Sequence, residues 1–410
     1  MSVRQLAENW TDIAAQLLKI GATAYGGPAI MGVMQAELQE KRQWVSKERF
    51  MDGLSLVNML PGATAAQLSI FLGYARGGWW GGLLGGLCFV FPGFLVLMAL
   101  TMGYAALGVT PLIRGALYGL GPVVLGIYVV AVYRLGRAVL SMRSQVLIAI
   151  AAAVAALATP LGIVSILLLA GGVGLWLFHS RKLGVAVLVP LAACLAIFHI
   201  IARWVSAPGV LPATATADAP AASLGQVALF LLKVGAFTFG GGLTMIAFIQ
   251  EQVVSQWSWL TPQEFIDGLA LGQLTPGPVL MVAAYVGYKV AGLAGAVVGS
   301  IAAFLPSFVM MLALLPVFDR ARTLKWTRAA LRGIAPAVIG VLAVSLVRLA
   351  PHAVPDVFAL ATLAATVVIL MLWRVNTIKV MLGGAVLGIA RSRLLSLAVT
   401  RSLLSAVTRS

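Results

Sequence analysis

Long apolar runs, separated by short polar segments, recur along the whole chain. Examples cover residues 81–102, 116–132, 146–178 and 294–315. Each run is long enough to cross the hydrocarbon core of a bilayer as a helix, which takes about 17–25 residues. The pattern lacks the strand-length alternation of an outer-membrane barrel, and helices are the other structure that satisfies the backbone inside lipid. The pattern therefore predicts an all-α polytopic membrane protein.

The apolar runs predict about 13 transmembrane helices in total, divided into two groups by a segment rich in Ala, Pro and Thr. Seven spans lie near residues 12–34, 52–75, 80–104, 113–135, 144–160, 161–178 and 184–204, and six near 224–249, 267–289, 291–316, 329–350, 356–373 and 376–390. The segment between them has the composition of an extended linker. We predict a first repeat over residues 1–207, a linker over 208–222, a second repeat over 223–390 and a basic tail over 391–410.

The two parts carry the same motifs at a displacement of about 214 residues. The sequence LLKIG at 17–21 returns as LLKVG at 231–235, FMDGL at 50–54 returns as FIDGL at 265–269, and PG at 61–62 returns at 276–277. The seventh predicted span has no counterpart in the second part. Because seven is odd, the second repeat would enter the membrane upside down, which predicts inverted-topology repeats with broken helices.

Composition and charge agree with a membrane protein. Of 410 residues, 61% are hydrophobic and 10% are charged, and the formal net charge is +16. The Lys and Arg residues cluster in short segments between the spans, so we interpret them as topology determinants facing lipid headgroups, and no nucleic-acid partner is expected. Loop counts of Lys and Arg over the predicted spans favour neither orientation. The positive field would also suit an anionic substrate.

Lys19 and Lys233 occupy equivalent positions about a third of the way into apolar spans. A lysine costs roughly 2.5–3.5 kcal/mol if it reaches the centre of a membrane helix, so something should offset that cost. One interpretation is a bound anion at the bilayer midplane, and the other is that both side chains extend to the headgroups. Duplication favours the anion slightly, because two lysines brought together would balance the charge of a dianion.

Glycine and proline interrupt the predicted spans at matching positions in the two parts. The pairs Gly26-Gly27 and Gly240-Gly241 either break their helices or allow another backbone to approach closely. Pro61-Gly62 and Pro276-Gly277 lie in the middle of spans, and proline removes a backbone donor, so each of these spans is expected to be discontinuous unless it is only kinked. Thr275 before Pro276 is expected to cap a helix that begins there.

A half-helix that begins inside the membrane would aim free N–H groups and its positive dipole end at the bilayer centre, which suits an oxyanion. Asn58 and Gln273, three residues before the two prolines, could supply further donors. The substrate-binding candidates are therefore Lys19, Gly26, Gly27, Asn58, Pro61, Gly62, Lys233, Gly240, Gly241, Gln273, Thr275, Pro276 and Gly277.

Acidic residues also recur in pairs. Asp52 and Asp267 lie about a turn and a half beyond Ser46 and Thr261, and Thr261 begins a capping box. Each carboxylate could form a structural ion pair, which is the favoured interpretation, or carry a coupling proton. The candidates for coupling or gating are Glu37, Asp52, Arg76, Glu251 and Asp267.

No enzymatic motif is supported. The three histidines lack metal-ligand spacing, and neither a nucleotide-binding loop nor a serine nucleophile has the required context. We expect no catalytic residues, no metal and no cofactor. An integral-membrane enzyme acting on lipid-linked substrates is the remote alternative, which intramembrane clusters of acids or histidines would support.

The paired glycines, the FxDGL sequences and the central Pro-Gly breaks together resemble the CHR family of chromate ion transporters, over most of the chain apart from the linker and the tail. The resemblance implies a secondary transporter that exports chromate across the bacterial cytoplasmic (inner) membrane, confers chromate resistance and uses the proton gradient. Sulfate uptake or export of another oxyanion is the alternative. The expected partners are chromate or sulfate, protons and membrane lipids, and a homodimer is compatible with the sequence.

Overall fold

The structure is a computed structural model that describes residues 3–107, 110–205, 223–317, 325–373 and 375–407. These residues form fifteen α-helices joined by short turns, and no β-strand occurs among them. The linker at 208–222 lies outside the described residues. Four helices are long and apolar enough to cross a membrane, over Thr64–Ala106, Pro111–Val139, Val279–Leu314 and Trp326–Ala353. The predicted all-α polytopic fold is confirmed.

Eight helices form the first half of the described chain. They are α1 (Val3–Thr23), α2 (Gly27–Met34), α3 (Lys47–Met59), α4 (Thr64–Leu107), α5 (Pro111–Val139), α6 (Arg143–Ala158), α7 (Ile163–Phe178) and α8 (Arg181–Val205). A π-helical segment, Gln35–Lys41, continues α2.

Seven helices form the second half. They are α9 (Leu224–Phe237), α10 (Thr244–Ile249), α11 (Pro262–Leu274), α12 (Val282–Leu314), α13 (Lys325–Ala353), α14 (Val357–Leu372) and α15 (Thr377–Val407). A π-helical segment, Gln250–Gln256, continues α10, and a 3-10 turn, Val279–Met281, precedes α12. Helix α8 has no counterpart here, and α15 continues beyond Arg391 into the segment predicted as a tail.

Helices α1 and α2 form a re-entrant hairpin, in which the chain turns back at residues 24–26. Near the start of its apolar part, α1 carries Asp12, whose carboxylate accepts hydrogen bonds from Arg42 at 2.7 Å and from the Trp44 indole at 3.2 Å. Because Arg42 follows the returning arm, both ends of the hairpin lie at one face of the protein. We name this the first face.

Helix α3 and the first arm of α4 form a second hairpin from the same face. A Cβ at Gly53 would overlap the ring of Phe71, so the two arms are in close contact. At the outer end, Arg76 lies 3.8 Å from the Asp12 carboxylate. Helix α4 then folds back at Gly77 and Gly78, which have non-helical dihedral angles, and its second arm crosses the membrane.

The second half repeats this arrangement from the opposite face. Lys289, at the end of the first arm of α12, forms a 2.7 Å ion pair with Glu264 at the start of α11. A Cβ at Gly268 would overlap the ring of Tyr285, as at Gly53. The second arm of α4 and helices α5 to α8 make five crossings, which is an odd number. The outer ends of the hairpin formed by α11 and α12 therefore lie at the other face, which we name the second face. The repeats are therefore inverted.

The count of 13 spans is not confirmed by this arrangement. The segments predicted as spans near 12–34, 52–75, 224–249 and 267–289 contribute re-entrant hairpins, each of which enters and leaves by one face. Apolar length alone does not distinguish a hairpin of two short arms from one crossing helix, because both bury a similar number of apolar residues in lipid.

The two halves interlock through small residues. A Cβ at Gly119 in α5 would overlap the Gly384 carbonyl and contact Gly388 in α15, and Gly333 in α13 meets Ala170 in α7 in the same way. Helices α5 and α13 therefore pack against helices of the other repeat at backbone distance, which is the usual role of small residues between membrane helices. This packing between the two repeats encloses the four hairpins, which are formed by α1 and α2, by α3 and α4, by α9 and α10, and by α11 and α12.

Candidate functional site

The breaks of the two repeats meet at the centre of the protein. The N–H of Gly62 donates to the carbonyl of Thr238 at 2.6 Å, and the N–H of Gly277 donates to the carbonyl of Ala24 at 3.0 Å. Each bond joins the Pro-Gly break of one repeat to the first hairpin of the other. The predicted discontinuity at both Pro-Gly pairs, and the break at Gly26 and Gly240, are therefore present in the structure, and they form one shared site.

Three consecutive glycines shape one side of this site. Gly240, Gly241 and Gly242 have φ angles of 66°, 72° and 102°, in the left-handed region that favours glycine. Among the described hydrogen bonds, none uses the N–H groups of these three residues. Successive N–H groups in a turn can line a concavity that binds anions.

The N-terminus of α4 lies opposite this glycine turn. A Cβ at Gly241 would be 3.7 Å from Oγ1 of Thr64, the first residue of α4. The first N–H groups of a helix have no partner within the helix, and the helix dipole makes this end positive. The glycine turn and the α4 terminus together therefore present hydroxyl and backbone donors to one small volume inside the membrane.

Thr275 does not cap a helix that begins at Pro276, so that prediction was wrong. It lies at the C-terminal end of α11, and its hydroxyl donates back to the carbonyl of Leu271 at 2.8 Å. Pro276 and Gly277 form a loop, and helical structure resumes at Val279. A hydroxyl can satisfy the last carbonyls of the preceding helix as readily as the first N–H groups of the next.

The two Pro-Gly breaks have different surroundings. In the first repeat, the N–H of Ala63 donates to Oγ of Ser307 at 3.0 Å. The second repeat has Pro278 at the position of Ala63 and Gly93 at the position of Ser307, so it lacks both the donor and the hydroxyl. The break at Pro61 is therefore more polar than the break at Pro276.

The two lysines each contact the returning arm of their own hairpin. Lys19 Nζ lies 3.6 Å from the Glu37 carboxylate, and its side chain is 63% exposed. Lys233 Nζ donates to Oε1 of Gln252 at 3.2 Å and is partly buried. No described contact joins the two lysines, and their pairing around one dianion stays a prediction. Each lies two turns or so from the central break.

Glu37 and Glu251 differ in their partners. Glu37 also forms a 2.7 Å ion pair with Lys41, at the first face. The carboxylate of Glu251 accepts a 3.3 Å hydrogen bond from the N–H of Ile163, at the start of α7, and lies beside Arg348. Glu251 is therefore held against the helices of the other repeat, whereas Glu37 contacts only its own hairpin among the described ion pairs.

Asp52 and Asp267 show a similar contrast. The Asp267 side chain is buried, with 5% of the residue exposed, and accepts hydrogen bonds from Gln263 at 3.0 Å and Tyr104 at 3.2 Å. Asp52 lines an open cavity between α3 and α13. The predicted N-cap Thr261 is confirmed, and Ser46 caps α3 in the same way, each accepting a hydrogen bond from a backbone N–H three residues later.

The amides and Arg76 are also placed apart from one another. Gln273 donates to the hydroxyl of Tyr128 at 3.0 Å, whereas Asn58 is exposed on α3. Arg76 lies at the first face, against Asp12 and away from the central breaks. The structure therefore gathers the glycine and proline candidates into one site and distributes the charged candidates around it.

A cavity of about 390 Å³ leads from the first face to the central breaks. Its outer part is formed by the start of α13, and its inner end by Pro61 and Phe239, which immediately precedes the glycine turn. The lining includes Asp52, Ser55, Met59, Pro61, Phe239, Trp326, Thr327, Arg328 and Leu331. Gly240 follows Phe239 directly and is exposed, so the glycine turn adjoins the inner end of the cavity.

Comparison with known proteins identifies the family. The model of the Chromate transporter family matches residues 11–175 and again residues 225–389. The chain belongs to this family. It is 31% identical to the chromate transport protein of Cupriavidus metallidurans over 396 residues, covering 94% of each chain. It is 32% identical to the chromate transport protein of Pseudomonas aeruginosa over 393 residues, covering 93% of this chain and 92% of the relative. The resemblance inferred from the motifs is confirmed. No solved structure is significantly similar to the chain.

Four residues of the site were not among the sequence candidates. They are Thr64 and Ser307 at the central breaks, Tyr104, which bonds Asp267, and Tyr128, which bonds Gln273. The sequence held one signal for Tyr128 and Ser307. In the alignment of the two repeats, Tyr128 corresponds to Leu342 and Ser307 corresponds to Gly93. A polar residue present in one repeat only can be functional, because the substrate need not contact both halves equally.

Proposed function

We propose that this protein is a secondary transporter that exports chromate across the bacterial cytoplasmic (inner) membrane, confers chromate resistance and is coupled to the proton gradient. The observation that carries the proposal is the central site, where the N-terminus of α4 faces three left-handed glycines whose N–H groups have no described partner. The names of the relatives, chromate transport proteins, supply the choice of oxyanion.

Chromate is a tetrahedral dianion, and its four oxygens accept hydrogen bonds in different directions. We assign its binding to the N–H groups of Gly240, Gly241 and Gly242 on one side and to the α4 terminus with Thr64 on the other. Charged hydrogen bonds to an oxyanion in a dry site are each worth about 1.5–3 kcal/mol. Lys233 adds positive charge nearby.

We assign the coupling proton to the buried carboxylates of the second repeat, Glu251 and Asp267. Both accept hydrogen bonds from uncharged donors, and neither forms an ion pair among those described, although Arg348 lies beside Glu251. Their counterparts, Glu37 and Asp52, lie nearer to water at the first face. In this proposal the two halves have separate roles, although they share one ancestry.

The test is chromate flux in proteoliposomes, measured with and without an imposed pH gradient and with sulfate as competitor. The proposal expects chromate movement that the gradient accelerates and that sulfate inhibits weakly. Sulfate movement without chromate movement would retain the oxyanion site and reject the substrate. Chromate movement that is insensitive to the gradient, at a fixed membrane potential, would reject proton coupling.

A further inference from the structure

The cavity between α3 and α13 has no open counterpart in the other repeat. In the position related by the repeat, α11 packs against α5, and α11 is buried from Phe265 to Gly272. The equivalent residues Ser55 and Ala270 illustrate the difference: Ser55 is exposed on α3 and lines the cavity, whereas Ala270 is 1% exposed. One repeat is therefore open where the other is closed.

Two hydrogen bonds hold the closed side together. The hydroxyl of Tyr104, near the end of α4, donates to the Asp267 carboxylate at 3.2 Å. The amide of Gln273, at the inner end of α11, donates to the Tyr128 hydroxyl in α5 at 3.0 Å, and Tyr128 is 1% exposed. These bonds tie α11 to α4 and α5 at two depths, between the central breaks and the second face.

We infer that the α3–α13 cavity is the path by which the oxyanion reaches the central breaks from the first face, and that Tyr104 and Tyr128 are gate residues that keep the second face closed. The inference rests on the proposed transport function. Release at the second face requires α11 to separate from α5 while α3 approaches α13. Because the repeats are inverted, that movement exchanges the open and closed sides.

Charge distribution assigns the open face to the cytoplasm. With the hairpins placed, the basic residues described at the first face are Lys41, Arg42, Lys47, Arg49, Arg76, Arg134, Arg137, Arg143, Arg181, Lys182, Arg328, Arg332 and Lys379. Those described at the second face are fewer: Arg114, Lys289, Arg348, Arg391 and Arg393. Basic residues near helix ends favour the cytoplasmic side. The cavity would then admit an anion from the cytoplasm, past Arg328 at its entrance.

Cysteine labelling tests this assignment. The two native cysteines, Cys88 and Cys194, are first replaced by alanine, and Ser55→Cys and Ala270→Cys are then introduced one at a time as a matched pair. A membrane-impermeant methanethiosulfonate is applied to right-side-out and inside-out vesicles. We expect Ser55→Cys to react from the cytoplasmic face at least tenfold faster than Ala270→Cys reacts from either face. Equal labelling rates for Ser55→Cys and Ala270→Cys would overturn the inference. So would labelling of Ser55→Cys that is faster from the outer face than from the cytoplasmic face.

The gate residues are tested by releasing the closed side. Tyr104→Phe in the Ala270→Cys background removes one hydrogen bond to a carboxylate, and we expect labelling of Ala270→Cys from the second face to rise about tenfold. Tyr128→Phe is the second variant, in case the first impairs folding. Tyr133→Phe is the control, because Tyr133 lies on the same helix as Tyr128 and is 46% exposed. Unchanged labelling in folded Tyr104→Phe and Tyr128→Phe proteins would refute the gate.

Labelling does not require transport, so the gate and the proposed substrate can fail separately. Chromate added to the Ser55→Cys protein is expected to slow its labelling, because the path and the site are continuous. If Ser55→Cys is labelled faster than Ala270→Cys but chromate does not slow that labelling, the result would support the gate and reject chromate as the transported ion. Symmetric labelling, in a protein that transports chromate, would reject the gate and retain the proposed function.

Discussion

The break at Pro61 should tolerate an added methyl group much less well than the break at Pro276. Gly62 has a φ of 121° and Gly277 a φ of 97°, so Gly→Ala introduces backbone strain at either position. A Cβ at Gly62 would also overlap Oγ of Ser307 and come within 2.7 Å of Nε2 of Gln67. At Gly277 the nearest atoms are 3.8 Å away or more, which is ordinary contact.

These contacts give the expected difference in the free energy of unfolding between Gly62→Ala and Gly277→Ala. A left-handed backbone costs a residue with a side chain about 1–3 kcal/mol, and both variants incur that cost. Gly62→Ala must in addition displace Ser307, which leaves the buried N–H of Ala63 without its 3.0 Å partner, at about 1–3 kcal/mol. We therefore expect Gly62→Ala to be less stable than Gly277→Ala by about 1–3 kcal/mol, and to lose more transport at equal expression.

The assay is the melting temperature of each purified protein in detergent, together with chromate flux in proteoliposomes. Ser307→Gly removes the same hydrogen bond without any overlap, so we expect it to destabilise the wild type by a similar amount and to cost little more in the Gly62→Ala background. Gly277→Ala that is as unstable as Gly62→Ala would refute the steric argument. So would fully additive losses in the double variant, because Gly62→Ala and Ser307→Gly are expected to remove one shared hydrogen bond.

Three further variants test other parts of the account. Lys233→Gln should reduce chromate resistance more than Lys19→Gln, since Lys233 is partly buried and the Lys19 side chain is 63% exposed; full resistance in both, at equal expression, would exclude the lysines from binding. Asp267→Asn should abolish stimulation of flux by a pH gradient while Asp52→Asn retains it, and the reverse result would transfer the coupling role to the first repeat. Thr261→Ala should lower the unfolding free energy by about 1 kcal/mol through loss of the α11 cap, and Thr261→Ser should not; equal melting temperatures for the two would contradict the cap.

The sequence was most informative about features that duplication repeats. The matching motifs identified the repeats and the positions of all four breaks, because glycine and proline have direct consequences for the backbone. The inversion was predicted from the odd number of spans in the first part, and it holds because two of those seven segments form hairpins and leave five crossings. The cap at Thr261 followed from local chemistry. The boundaries of the two repeats, the linker and the tail remain predictions.

Long-range geometry could not be read from the pattern. A re-entrant hairpin and a crossing helix have similar apolar lengths, so the number of spans predicted from the sequence differs from the number in the structure. The distribution of Lys and Arg between the two faces differs for the same reason. The pairing of Tyr104 with Asp267 joins residues far apart in the chain, and Thr275 caps the helix before it rather than the helix after it. Equivalent positions such as Asp52 and Asp267 also differ in burial, because the two repeats adopt different states in one structure.

Equilibrium binding of radiolabelled chromate to the purified protein would show whether an oxyanion binds between the glycine turn and the N-terminus of α4. The experiment compares the wild type with Thr64→Val and with Thr362→Val, a control in α14 whose hydroxyl bonds only its own helix among the described contacts. We expect saturable binding that Thr64→Val weakens by roughly tenfold and Thr362→Val leaves unchanged. Absence of binding to the folded wild type, or equal affinity in all three proteins, would show that no oxyanion binds there.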